Sequence, residues 1–130
     1  MQYQTNYFVS YFVKREYKTI MMQTASILGR STVAVKKEFP HHLIHIIPDP
    51  LNIDKELLEM KFKSTTVTYV INHQDICTTG YLFLNNTLDL ENYLTVCKKY
   101  FDTVASNSWK YKSCYIELLK EGDSFYFLFY

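Results

Sequence analysis

Between residues 88 and 105 the apolar side chains Leu90, Leu94, Cys97, Phe101 and Val104 fall at steps of four, three, four and three, which makes one stripe along an α-helix. Around that segment the period changes to two. Thr65 to Ile71 sends Val67, Tyr69 and Ile71 to one side and Thr66, Thr68 and Val70 to the other, and Lys110 to Leu119 and Phe125 to Tyr130 alternate likewise. A chain that switches period in this way lays a helix against a sheet. Turn signals in series, Asn72-His73-Gln74-Asp75 and Glu121-Gly122-Asp123-Ser124, imply hairpins and so an antiparallel sheet, because parallel neighbours need a long crossover between them.

The amino-terminal half reads as mostly strand. Tyr7 to Val13 is rich in aromatic and β-branched residues and is closed by Lys14-Arg15-Glu16, and Tyr17 to Thr24 returns from it. Gly29-Arg30-Ser31 breaks the chain before a third strand, Thr32 to Val35. His42 to Ile47 makes a fourth, between Pro40 and the stop Pro48-Asp49-Pro50. Asn52 then caps a short helix to about Phe62, with Ile53, Leu57 and Met60 sharing a face. The expected fold class is α+β: a single domain over residues 1–130, mainly antiparallel sheet in the order ββββαββαββ, with two helices packed on one face.

Composition narrows function mainly by exclusion. The 130 residues do not make room for two catalytic lobes, while 48% hydrophobic and 21% charged residues are enough to build a core. With only three glycines there is little backbone freedom for a phosphate-cradling loop, so no nucleotide cofactor is expected. Arg15 and Arg30 are the only arginines, which disfavours a dedicated reader of DNA sequence. Cys77, Cys97 and Cys114 form no CxxC pair and fit reduced thiols in a cytoplasmic protein. Met1 to Asn6 lacks a basic leader region, and no apolar run approaches the roughly 20 residues of a membrane span. The expectation is a cytoplasmic protein with no membrane partner.

Three groups of residues invite a chemical reading. His41, His42 and His45 suggest a metal, but in a strand His41 and His45 stand about 13 Å apart, too far for one ion, so ordinary sheet histidines and no metal are expected. Cys77 lies near His73 and Asp75, and the three could meet across a turn as the site of a small enzyme; short polar residues are also what any turn requires, and no catalytic residue is assigned. Lys36, Lys37, Lys110 and Lys112, with Trp109 as a stacking surface, are the residues of a nucleic-acid-binding accessory protein. Alternation places Trp109, Tyr111 and Tyr115 opposite Lys110 and Lys112, which separates the rings from the charges.

The largest unexplained feature is an excess of apolar surface: 12 Tyr, 9 Phe and 1 Trp make up 17% of the chain. In the first expected strand Tyr7, Val9, Tyr11 and Val13 oppose Phe8 and Phe12, and in the last Phe125, Phe127 and Phe129 oppose Tyr126, Leu128 and Tyr130. Two helices cover one face of a sheet at most, so the other face is left for a partner. The leading expectation is a non-enzymatic module that binds a protein partner or a second copy of itself through Tyr7, Tyr11, Tyr126 and Tyr130. A small host- or phage-directed inhibitor or regulator would work in this way.

Overall fold

The computed structural model describes residues 2–62 and 65–130, with side chains from residue 15 onward. Its elements run α1 (Gln2–Ile27), α2 (Thr32–Glu38), β1 (Ile44–Pro48), β2 (Glu56–Lys61), β3 (Thr65–Ile71), β4 (Cys77–Leu84), α3 (Thr87–Tyr100), β5 (Asp102–Ala105), β6 (Ser108–Tyr111), β7 (Cys114–Glu121) and β8 (Ser124–Phe129). All eight strands join one antiparallel sheet in the order β1-β2-β3-β4-β8-β7-β6-β5. The α+β class and antiparallel sheet are as expected; the element order is not, since three helices replace two and the chain opens with helices.

The corrections share a physical origin. Gln2 to Ile27 contains neither glycine nor proline, and Lys14-Arg15-Glu16 are good helix formers that supply none of the positive-φ residues a tight hairpin needs. The expected strands Tyr7–Val13 and Tyr17–Thr24 are therefore one helix. Its inner face buries Tyr17, Ile20, Met21, Thr24 and Ile27, and burial outweighs the strand preference of its aromatic and β-branched residues. Gly29, at φ 83, ends that turn of chain, and Ser31 caps α2 by accepting from the Ala34 amide, so Thr32 to Val35 is helical too.

The helix expected before Phe62 is strand β2. Asn52 is not a cap there; it sits in a turn that Asp49 closes. Leu58 and Met60 alternate with Leu57 and Glu59, and pairing with β3 buries the first two completely. Helix α3 is capped by Asn86, whose side chain accepts from the Asp89 amide at 2.9 Å, but it stops at Tyr100 and leaves Val104 exposed on β5. The strand expected over Lys110 to Leu119 is split into β6 and β7 by a turn at Lys112, where φ is 55.

The helices cover one side of the sheet. Val67, Tyr69 and Ile71 of β3, Leu82 of β4, Phe127 and Phe129 of β8, and Ile116 of β7 point there and are buried. Strand order reads the same from either edge: each half is a helical segment followed by a four-stranded meander, and the fourth strands of the two meanders, β4 and β8, pair in the middle.

Candidate interaction surface

Register assigns the opposite side of the sheet residue by residue. One row runs Lys61, Thr66, Phe83, Tyr126, Leu119; the next runs His45, Glu59, Thr68, Tyr81, Leu128, Glu117, Ser108. A third carries Ile47, Leu57, Val70 and Thr79 from one edge, and Tyr115, Lys110 and Asp102 toward the other. None of these side chains is in the buried core.

At the centre the aromatic rings touch. Tyr81 and Phe83 stack at 6.1 Å with 8° between their planes, and Tyr126 leans against both at 6.1 and 5.8 Å. Phe83 keeps 41% of its surface exposed. A second pair, Tyr115 and Tyr130, stacks at 5.7 Å, and Lys110 Nζ lies 5.3 Å from the Tyr115 ring centre. The Tyr130 hydroxyl donates to the Glu117 carboxylate, which holds that hydroxyl above the usual phenol range. Charged groups stand around this strip: Glu59 and Lys61 on the β2 side, Glu117, Lys110 and Asp102 on the β7 side.

The expected residues are distributed as follows. Tyr126 and Tyr130 lie on this open face, while Phe127 between them in parity is fully buried. Tyr7 and Tyr11 belong to α1, and their side chains lie outside the described residues. Trp109 is only 3% exposed; it points to the helix side and packs on Phe127 at 6.3 Å, so it offers no stacking platform. The Lys112 turn shifts parity between β6 and β7. Lys110 thus shares the open face with Tyr115, against the alternation expected for one uninterrupted strand. Lys36 and Lys37 stand exposed on α2, whose Val35 enters the core on the helix side, and Lys112 stands in its turn. The four lysines line no common groove with the rings.

The other candidate clusters have structural employment. Asp75 accepts from the Thr32 hydroxyl at 2.9 and 2.8 Å, and the Cys77 amide and carbonyl bond Arg30 and Gly29 at 2.8 Å each, so this turn ties β4 to the start of α2. His73 is exposed on the same turn. Burial and Asp75 push the Cys77 thiol up to about 11, away from the thiolate a nucleophile requires. His42 rests on Phe62 at 4.7 Å, His45 is paired opposite Glu59, and His41 is exposed. Among the described residues no cluster of metal-ligand type is present, and no helix is long and apolar enough to cross a membrane.

A buried polar contact escaped the sequence. The Tyr17 hydroxyl donates to Asp89, the Tyr17 and Tyr93 rings meet edge-on at 4.6 Å, and Tyr93 and Thr65 share a hydrogen bond of 2.9 Å. The second Asp89 oxygen is buried and has no partner among the described residues. Tyr81, Phe83 and Tyr115 were missed as surface residues as well. Their alternation was legible, but which parity faces outward depends on pairing partners far away in the chain.

No protein-family model, curated protein or solved structure matches the chain.

Proposed function

We propose that the chain is a non-enzymatic module that binds a protein partner stoichiometrically through its open sheet face. The carrying observation is the contiguous strip Tyr81, Phe83, Tyr126 and Leu128, apolar at its centre and charged at its margins, with no helix over it among the described residues. That anatomy is the one protein interfaces share, and tyrosine supplies large contact area with a hydroxyl for orientation. Glu59 and Glu117 within the same face repel phosphates, and Lys61 and Lys110, the lysines of these rows among the described residues, sit at opposite margins. These features favour protein over nucleic acid. Inhibition by occlusion of a partner's working surface is a natural mode for such a module.

The test is quantitative affinity capture with purified variants. Phe83→Glu and Tyr126→Ala are expected to lose a stoichiometric protein partner while circular dichroism and melting temperature stay near wild type. Phe127→Ala, in contrast, should cost about 3 to 5 kcal/mol of stability. A partner that is removed by nuclease, or that is retained by both open-face variants, overturns the proposal.

A further inference from the structure

The strip Tyr81, Phe83, Tyr126 and Leu128 fills two adjacent rows on the central strands of the open face, β4 and β8. Pairing of β7 with β8 adds one more row beyond Phe83 and Tyr126, where Glu121 lies opposite Ser124. Charges flank the strip in a definite order. On β2, Glu59 stands in the Tyr81 row and Lys61 in the Phe83 row. On the other flank Lys110 stands in the Tyr115 row, and Glu121 lies at the opposite extreme. Both flanks therefore change sign about the line between the Tyr81 and Phe83 rows. The other charged groups of these rows among the described residues have neighbours in their own chain: His45 is opposite Glu59, Asp102 is opposite Lys110, and the Glu117 carboxylate accepts from the Tyr130 hydroxyl. Across the strands Lys61 meets Thr66 and Glu121 meets Ser124, neither of them charged.

A surface whose charges reverse about a line matches itself through a two-fold axis on that line. An axis in the interface that returns the strip onto itself runs either along the strands or across them. Along the strands, β2 of one copy lies over β6 of the other, which sets Glu59 on Ser108 and Lys110 on Leu57, so no charge is met. Across the strands, every strand lies over its own counterpart and the rows exchange. Lys61 then faces Glu59, Phe83 faces Tyr81 and Tyr126 faces Leu128, each contact made twice. Glu121 arrives over Tyr115, where Lys110 Nζ lies 5.3 Å from the ring centre. Glu117 meets Leu119, with its carboxylate held by Tyr130 of its own copy.

On the open-face reading proposed above, we infer that the partner of that face is a second copy of the chain, packed sheet on sheet about the axis that crosses the strands. Sheets stacked in this way lie about 10 Å apart with their strands about 30° from parallel, a gap that side chains as long as Lys61 and Glu59 bridge. Size agrees with the match. From β2 to β6 six strands about 4.8 Å apart, and three to four rows about 6.8 Å apart, make a footprint of roughly 600 to 800 Å² on each copy, within the class of stable interfaces.

Light scattering at micromolar concentration should give twice 15.5 kDa for the wild-type chain and 15.5 kDa for Phe83→Glu. Lys61→Glu and Glu59→Lys each set like charges face to face, twice, and each should weaken self-association about tenfold or more with an unchanged circular dichroism spectrum. An equimolar mixture of these two variants should associate at least as tightly as wild type, because the positive β2 flank of one meets the negative β2 flank of the other. A dimer that survives Phe83→Glu, or a mixture that binds no tighter than its components, overturns the inference. So does a wild-type monomer at about 100 μM, roughly a hundredfold above the first concentration. If that monomer captures a different protein, and Phe83→Glu and Tyr126→Ala lose it, the second copy is excluded and the open-face reading stands. If neither self-association nor capture responds to these variants, both fall.

Discussion

Gly80 occupies the point where the Tyr69 ring crosses the neighbouring strand. A Cβ there would lie 3.3 Å from Tyr69 Cε1 and 3.5 Å from Phe129 Cβ, and neither neighbour has room to move, since both are completely buried. The Tyr69 hydroxyl reaches the Thr24 carbonyl of α1 at 3.4 Å, so displacing the ring also disturbs the seating of that helix. Gly80→Ala is expected to destabilise by about 1 to 3 kcal/mol, the usual range for overpacking, despite its small change in volume. Urea unfolding monitored by circular dichroism checks this; a neutral or stabilising effect would mean that the Tyr69 ring is less confined than its packing indicates. Glycine here is explained only once its cross-strand partner is known, because its neighbours in sequence do not show that the Tyr69 ring lies over it.

At the scale of elements, legibility followed how local the deciding forces are. Helix α3, strands β3, β4 and β8, and the Glu121 to Ser124 turn declare themselves through periodicity and turn residues that act within a few positions. Helix α1 and strand β2 do not: Tyr7 to Val13 carries strand-like residues in a helix, and Glu56 to Lys61 carries helix formers in a strand. For α1 a partner distant in sequence decides, α3, and for β2 the pairing with the next strand, β3, and the burial that comes with it. Side assignment on the open face failed in one place for a local reason, the positive φ of Lys112 that splits β6 from β7.

The contact between α1, α3 and β3 carries a pH dependence. Burial, with the Asp89 hydrogen bond second, pushes Tyr17 up to about 12 from an ordinary value of 10.0, and burial raises Tyr93 as well. Burial also pushes the Cys97 thiol of α3 up to about 12 and the Cys114 thiol up to about 11, from 9.0. Each of these groups is neutral when protonated and stays protonated to higher pH in the folded chain than in the unfolded one. Their contribution to stability is therefore complete below pH about 9 and is lost as the unfolded chain ionises first, between pH about 9 and 12. Melting temperature should be flat from pH 7 to about 9 and then fall. Tyr17→Phe should flatten the part of the decline above pH 10 while lowering stability at neutral pH. A melting temperature that holds level to pH 12 would contradict the burial of these groups.

For the molecule as a whole the decisive joint is the pairing of β4 with β8. The first meander ends at β4 and the second at β8, so the last strand in the chain fills the middle of the sheet and holds the two halves together. Everything that crosses from one meander to the other within the sheet crosses there: Gly80 to Phe83 meets Tyr126 to Phe129, while β7 joins β8 from the far side through Ile116 to Glu121. Phe127 and Phe129 are buried to nothing, and the same strand carries Tyr126 of the open face, so stability and the proposed binding surface share one segment. Removing residues 124–130 leaves two four- and three-stranded pieces with facing unpaired edges, and it strips two phenylalanines from the core. At about 3 to 5 kcal/mol for each ring, that loss alone approaches the full stability of a domain of this size. The truncated chain is expected to show no cooperative thermal transition and to aggregate through its β4 and β7 edges, whereas loss of Tyr130 alone should leave the transition in place. Calorimetry on both truncations checks the assignment, and a cooperative transition in the shorter chain would show that the two meanders are held together by α1 and α3 instead.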